Sequence, residues 1–246
     1  FTVCGNVVRR GVFEFPMGVN LKDIIYEVCG GIADGKGLLG VQTGGTSGAI
    51  INADQIDMTL DIDTVSASGG RLGCGTILVI DDSNCIVDIV RNNLDFFRGE
   101  SCGKCTPCRE GGQQLYNLVT RISRGLATLP DLEKIDELTE TMRLTALCGL
   151  GHSTAVPVQT SIQNFRKEYL AHIDRDCCPG CAQAAVAEGI YEAEEDYRND
   201  GNSRMGRRRA AVGERDVMYD SYDAYARHRS RGTSYAGRFE RRGGRE

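Results

Sequence analysis

Hydrophobic residues occur in short runs over the first 82 residues, and glycine-rich turns separate these runs. This pattern is typical of β-strands, and the predicted strands cover residues 2–8, 12–15, 38–42 and 76–80. A helical spacing interrupts them at residues 21–28, where Asn20 can cap the helix and Cys29-Gly30-Gly31 can end it. The pattern therefore predicts one helix lying across a small mixed sheet.

From about Ile86 onward the apolar residues follow a helical period and form four stripes. The stripes consist of Ile86, Ile89, Val90, Leu94 and Phe97; of Leu115, Leu118, Val119, Ile122 and Leu126; of Leu132, Ile135, Leu138 and Met142; and of Val158, Ile162, Phe165 and Tyr169. Asp131 is predicted to cap the third helix, and Pro157 is predicted to lie in the first turn of the fourth. Four amphipathic helices with short connections predict a four-helix bundle, so the expected fold class is α+β.

The last part of the chain has a different character. Residues 176–202 are predicted to be a cysteine-containing linker. Residues 203–246 carry 12 arginines, no lysine and 6 acidic residues, although the whole chain has a net charge of −5. Because this arginine-rich tail lacks a sustained apolar period, it is predicted to be disordered. The acidic body of the protein makes nucleic-acid binding through the tail the less favoured hypothesis.

Composition argues against two further classes of protein. No run of 18 apolar residues occurs, so no membrane insertion is expected. The chain has 11 cysteines, an odd number, and no secretion signal is recognised at its start. Both observations argue against a disulfide framework and favour cysteines that bind metal or are buried. Since the chain begins with Phe1 in a predicted strand, we expect it to be a fragment or a processed product.

Four of the cysteines have a spacing that suits an iron–sulfur cluster. Cys102, Cys105 and Cys108 form a C-x2-C-x2-C run, and Cys148 follows in a glycine-rich segment. A tight loop can supply three thiolates of a [4Fe-4S] cluster, and a returning helix can supply the fourth. The main alternative is zinc, although structural zinc usually draws on two separated ligand pairs. Plain structural or redox thiols are a further alternative.

The runs around these cysteines resemble a known family. ESCGKCTPCREG at 100–111 and LCGLG at 147–151 resemble the flavoprotein subunit of respiratory complex I and the NADH-oxidising subunits of NAD-linked hydrogenases and formate dehydrogenases. GVFEFPMGVNLKDIIYEVCGG and the later GGTSG are similar to the family's soluble-ligand-binding β-grasp (SLBB) domain. The resemblance implies an SLBB-like domain over residues 1–82 and a [4Fe-4S]-binding helical bundle over residues 83–175.

In that family the cluster takes single electrons from a flavin that oxidises NADH. The family's glycine-rich flavin motif has no counterpart here, since the glycine-rich residues 69–75 lie in the strand-rich region and are interpreted as a turn. FMN and NADH are therefore expected on a missing domain or a partner subunit, and this chain is not expected to oxidise NADH alone. The implied function is an electron relay to further iron–sulfur subunits, in the cytoplasm or at the periphery of a membrane complex.

A second metal site is predicted after the fourth helix. His172, Cys178 and Cys181 have a spacing that suits zinc, and Cys85 could complete a tetrahedral set. Cys177 is an alternative ligand. A competing interpretation treats Cys85 as a core residue and the Cys-Cys-Pro-Gly-Cys run as a remnant. If zinc were the only metal bound, the chain would be a zinc-stabilised assembly module without redox activity.

Overall fold

The computed structural model describes residues 1–174 together with Cys178, Gly180 and Cys181. A five-stranded mixed sheet forms from the N-terminal residues, with the strand order β2-β1-β5-β3-β4. Parallel pairing joins β1 to β5, and antiparallel pairing joins the other neighbours. The strands are β1 (Thr2–Gly5), β2 (Gly11–Val12), β3 (Leu38–Thr43), β4 (Ile50–Asn52) and β5 (Thr76–Asp81).

One helix lies against this sheet, as the hydrophobic pattern predicts. It begins as α1 (Leu21–Asp23) and continues through a π-helical turn over Ile24–Val28. Asn20 caps it, because its side chain accepts a 2.8 Å hydrogen bond from the backbone N–H of Lys22. The residues that this segment buries in the core are Leu21, Ile24 and Ile25. A second short helix, α2 (Ile62–Ala67), precedes β5.

Five helices follow β5 within the described part of the chain. They are α3 (Ile86–Glu100), α4 (Gly112–Ser123), α5 (Leu129–Thr145), α6 (Gly149–Asn164) and α7 (Arg166–Ile173), and a π-helical turn over Pro107–Gly111 leads into α4. The helices α3 and α6 contact each other, and α5 packs against both α4 and α6. Their apolar stripes meet in a core that contains Leu94, Leu115, Ile135 and Tyr169. The fold is therefore a mixed α+β structure.

Three details of the helices differ from the sequence-based prediction. The fourth predicted helix is divided, since Val158 and Ile162 lie in α6 but Tyr169 lies in α7. Pro157 lies inside α6 rather than in its first turn, because the helix already begins at Gly149. Asp131 lies within the first turn of α5, and the capping residue is Thr128. The Asp131 carboxylate reaches back to accept hydrogen bonds from the backbone N–H and the hydroxyl of Thr128, at 2.9 and 3.1 Å. The predicted first turn of α6 and the predicted cap of α5 were therefore wrong.

The helix α6 covers the edge of the sheet at β4. The backbone N–H of Ile50 donates to Thr160 Oγ1 at 3.0 Å, and Asn164 Nδ2 donates to the carbonyl oxygen of Ile50 at 2.8 Å. A buried hydrogen bond from Asn93 Nδ2 to Gln42 Oε1, 3.2 Å long, joins α3 to β3. These contacts tie the helices to the sheet, so all the described residues belong to one compact unit.

Some of the sequence-based predictions concern residues that the structure does not describe. The predicted linker over residues 176–202, except for Cys178, Gly180 and Cys181, lies outside the described residues, as does the tail over residues 203–246. The boundary between residues 82 and 83 stays a prediction. In the described part of the chain, no helix has the length and apolar character needed to cross a membrane.

Candidate metal centres

Two groups of cysteines lie at opposite ends of α3. Cys85 immediately precedes the helix, and Ser101 and Cys102 immediately follow it. A helix of 15 residues is roughly 22 Å long at 1.5 Å per residue. The two groups are therefore separate sites, and each can be described from its own contacts.

The first site contains the loop from Cys102 to Cys108. Cys102 is exposed, Cys105 is half-buried and Cys108 is buried at the start of the π-helical turn. Gly103 has a φ of 74°, a conformation that strongly favours glycine, so the chain can turn sharply between the first two cysteines. The loop therefore presents its three thiols at three different depths.

The fourth cysteine of this site comes from the segment between α5 and α6. Cys148 is exposed and occupies the position just before α6. One turn later, Gly151 packs against the cysteine loop. A Cβ added at Gly151 would lie 3.3 Å from Cys108 Cβ and 2.5 Å from Ala146 Cβ, so the absence of a side chain lets α6 approach the loop closely. This packing brings the segment that carries Cys148 against the loop at Cys108.

Backbone amides and one arginine favour the ionised form of Cys105. Hydrogen bonds from the backbone N–H of Leu147, and then from that of Cys108, hold the pKa of Cys105 below its usual range, and the positive charge of Arg109 acts in the same direction. Arg109 Nη1 also donates a 2.6 Å hydrogen bond to the carbonyl oxygen of Gly103. Since iron binds thiolates rather than thiols, these donors fit a sulfur ligand of a cluster.

The second site lies at the other end of α3 and is much tighter. One ligand atom from each of Cys85, His172, Cys178 and Cys181 lies within 4.8 Å of the other three. His172 Nε2 lies 3.3 Å from Cys85 Sγ and 3.8 Å from Cys181 Sγ. Cys85, His172 and Cys178 are buried, whereas Cys181 is half-buried. Three sulfurs and one imidazole nitrogen at this spacing are a typical ligand set for one tetrahedral ion.

Hydrogen bonds among the thiols of this second site shift their pKa values in opposite directions. Hydrogen bonds from the Cys181 and Cys85 thiols hold the pKa of Cys178 well below its usual range. The contact with Cys178 correspondingly raises the pKa values of Cys85 and Cys181. Burial, together with the nearby charge of Cys178, raises the pKa of Glu168 to about 7. A cation at this position would displace the thiol protons and allow all three cysteines to ionise.

Comparison with known proteins supports the interpretation of the first site. Residues 88–172 match the family described as the NADH-ubiquinone oxidoreductase-F iron-sulfur binding region. Over 179 residues the chain is 38% identical to the NADP-reducing hydrogenase subunit HndC of Solidesulfovibrio fructosivorans, a match that covers 73% of this chain and 36% of that relative. This chain belongs to the family of complex I flavoprotein subunits and corresponds to their C-terminal part.

Other members of this flavoprotein family match over the same length. A relative from Rhizobium meliloti, one of the subunits of an NADH-quinone oxidoreductase, is 35% identical over 179 residues, which cover 73% of this chain and 42% of the relative. A crystal structure of an NAD+-reducing [NiFe]-hydrogenase in the H2-reduced state aligns with a TM-score of 0.62 and 35% identity, covering 70% of this chain and 28% of that chain. The chain thus spans about two fifths of the length of these curated relatives.

The structure brings together the four predicted ligands of the second site, and it places two of the predicted cluster cysteines against the segment that carries a further one. Cys105 and Cys108 contact the segment that carries Cys148, and Cys85 joins His172, Cys178 and Cys181. The alternative zinc ligand Cys177 lies outside the described residues.

Sequence analysis missed three residues that support these groups. The hydroxyl of Ser101 contacts Cys108, the backbone N–H of Leu147 donates to Cys105, and Gly180 packs closely against Asn84. All three residues are close in the sequence to predicted ligands, which could have indicated a supporting role. Their contacts, however, depend on the folded backbone.

Proposed function

We propose that this chain binds a [4Fe-4S] cluster through Cys102, Cys105, Cys108 and Cys148 and relays single electrons from a flavin to further clusters in an NADH-linked oxidoreductase. The observation that carries the proposal is the packing of Gly151 against Cys108, which places the segment that follows Cys148 against the three-cysteine loop. All four cysteines also fall within the region that matches the family's iron–sulfur binding region.

The residues of the chain have distinct tasks in this proposal. A bound cluster exchanges one electron at a time, whereas NADH releases two as hydride, so a flavin is needed between them. The cysteines hold the iron, and the amides of Leu147 and Cys108 stabilise the sulfur charge at Cys105. Leu147 is 69% exposed beside the exposed Cys148, which leaves an apolar, open side where an electron partner could approach.

The partner in this proposal carries the flavin and the NADH site. FMN and NADH bind to another domain or subunit, and other iron–sulfur subunits receive the electrons. Relatives named as NADH-quinone oxidoreductase and hydrogenase subunits support a place in a multi-subunit complex. We assign the chain to the cytoplasm, either free or at the periphery of a membrane complex.

The finer description of the fold is also part of the proposal. We assign residues 1–82 to an SLBB-type β-grasp domain and residues 83–175 to a four-helix bundle. The parallel central pair β1 and β5, flanked by antiparallel strands and covered by one helix, supports the first assignment. The mutual packing of α3, α4, α5 and α6 supports the second, with α7 as an added short helix.

The test of the electron-relay function is metal analysis of the anaerobically purified chain. We expect about four irons and a matching amount of sulfide per chain, with an S = 1/2 EPR signal after dithionite reduction. A Cys148→Ala variant should lose this signal. Cys74→Ala is the control, because Cys74 is an exposed cysteine of the sheet region. Zinc without iron in the oxygen-free wild-type chain would contradict the proposal and support the assembly-module alternative.

We also propose that Cys85, His172, Cys178 and Cys181 bind one zinc ion with a structural role. Their convergence within 4.8 Å and the burial of three of them support this second function. The measurement is the zinc content of the wild-type chain and of a His172→Ala variant. We expect about one zinc in the wild type and none in the variant. Equal zinc contents in the two proteins would contradict the assignment.

A further inference from the structure

The hydroxyl group of Ser101 contacts two parts of the cysteine loop. Gly103 N–H donates to Ser101 Oγ at 3.3 Å, and Cys108 Sγ lies 3.3 Å from the same oxygen. A serine hydroxyl has one proton to donate and two lone pairs that accept. Since the Gly103 amide uses a lone pair, the proton of Ser101 remains available for Cys108.

The protonation state of Cys108 decides whether the serine oxygen or the cysteine sulfur donates the hydrogen bond. A free thiol could donate its own proton to the serine oxygen. A thiolate that binds iron carries no proton and can only accept. With Cys108 bound to iron, the hydrogen bond must therefore run from the Ser101 hydroxyl to the Cys108 sulfur.

We propose that Ser101 donates this hydrogen bond to Cys108 Sγ and thereby raises the reduction potential of the cluster. The inference rests on the proposed [4Fe-4S] function of this loop. Reduction adds negative charge that spreads onto the sulfur ligands, and a donor aimed at one of them stabilises the reduced state more than the oxidised state. Ser101 acts through Cys108 and is a positioning residue for the electron transfer.

The surroundings keep the Ser101 hydroxyl in place. The backbone of Gly103 is held at both of its polar groups, by Ser101 Oγ at the N–H and by Arg109 Nη1 at the carbonyl oxygen. Cys108 is 8% exposed, so little water competes for its sulfur. A hydrogen bond to charge has more effect in such a shielded position than at an exposed one.

Thr106 offers a matched hydroxyl in the same loop. It lies between Cys105 and Cys108, is exposed and makes no side-chain capping hydrogen bond. Removing the Thr106 hydroxyl takes away a hydroxyl group from the loop, as removing that of Ser101 does, but it removes no donor to a cluster sulfur. The comparison of Ser101 with Thr106 therefore separates a hydrogen bond to sulfur from a general change in polarity.

The experiment is an EPR-monitored redox titration of the full chain after anaerobic cluster reconstitution. Ser101→Ala, Ser101→Val, Ser101→Thr and Thr106→Val are compared with the wild type. At a fixed potential, Ser101→Ala and Ser101→Val should lower the ratio of reduced to oxidised cluster at least threefold, which is roughly 28 mV for a one-electron couple. Ser101→Thr should match the wild type, because it has the shape of valine but keeps the hydroxyl. Thr106→Val should also match it.

Three outcomes would overturn the inference. If the wild type gives the full EPR signal but Ser101→Thr and Ser101→Val have equal reduction potentials, the inference is overturned and the electron-relay function stays intact. Loss of the cluster from all three Ser101 variants would assign the residue to assembly instead of to the potential. A wild-type chain without a four-iron cluster would overturn the inference together with the proposed function.

Discussion

The two sulfur-rich sites at the ends of α3 use similar residues in different arrangements. At the C-terminal end of α3, two of the four cysteines are exposed, and backbone amides donate to Cys105. At the N-terminal end, three thiols and His172 converge within 4.8 Å, and the thiols hydrogen bond to each other. A four-iron cluster needs ligands that lie farther apart than those of one ion. The close spacing at the N-terminal end therefore favours a single ion as the proposed occupant there.

The two sites should also be disrupted by different kinds of substitution. At the tight site, which consists of Cys85, His172, Cys178 and Cys181, the thiols hydrogen bond to each other, so the loss of one ligand leaves buried polar groups without partners. The open site consists of the loop from Cys102 to Cys108 and the segment that carries Cys148. It depends on the close approach of these two segments, since a side chain at Gly151 would collide with its neighbours. Variants that affect only one of the sites test this comparison.

We expect the largest effect from a Cys178→Ser substitution. It removes a buried ligand of the tight site, so zinc should be lost and the free energy of unfolding should fall by about 4 kcal/mol, because metal loss is among the few causes of effects this large. Urea denaturation and metal analysis measure the two effects. Iron should remain at the wild-type amount, because the cluster cysteines lie at the other end of α3. Loss of iron and zinc together would contradict the independence of the sites.

A Gly151→Val substitution should disturb the open site. Its Cβ would collide with Ala146 and crowd Cys108, which should cost about 2 kcal/mol of stability and lower the iron content. Zinc content should be unchanged. Gly149→Ala is the control, since a Cβ at Gly149 meets no atom within 4 Å. If both variants held the same amount of iron, the close approach of α6 would not matter for the cluster.

A Gly180→Ala substitution should disturb the tight site by a smaller amount. An added Cβ would overlap the carbonyl oxygen of Asn84, so the segment from Cys178 to Cys181 would have to move away from the start of α3. We expect zinc affinity to fall roughly tenfold, which corresponds to about 1.4 kcal/mol. Competition with a chromogenic chelator measures the affinity. Gly99→Ala, where a Cβ has open space, should bind zinc like the wild type.

The smallest expected effect follows from Arg109→Gln. The positive charge of Arg109 helps to lower the pKa of Cys105, so its removal should raise that pKa and slow alkylation of Cys105 at neutral pH in the iron-free chain. We expect a change of about threefold or less, because Arg109 is exposed and the backbone donors remain. Mass spectrometry of the alkylated peptide measures the rate across pH. A faster reaction in the variant would contradict the assigned sign.

Much of the fold could be predicted from the sequence, because hydrophobic spacing and caps act locally. The helix after Asn20 and the strands at Leu38–Thr43 and Thr76–Asp81 follow directly from such patterns. The strand at Ile50–Asn52 escaped prediction because three residues are too short to show a period. The start of α6 was missed because glycines have low helix propensity and Pro157 suggested a later start.

The candidate sites were predictable to a similar extent. Cysteine spacing predicts the loop ligands, which stays a prediction, and His172 lies in the group that was predicted for it. The contacts of Leu147 and Ser101 were not predictable, because Leu147 donates through its backbone and the contact of the Ser101 hydroxyl with Cys108 depends on the turn of the loop. Spacing along the chain predicts ligands, but only the folded backbone shows which groups contact them.

The contacts at Ile50 have a consequence for how this protein can associate with others. A strand at the edge of a sheet normally offers free backbone groups that can recruit a strand from another molecule. Here Thr160 and Asn164 occupy both backbone groups of Ile50. Intermolecular strand exchange at this edge is therefore blocked, and aggregation of the cross-β type is discouraged there. Subunits of a larger assembly would have to meet this part of the molecule through side chains.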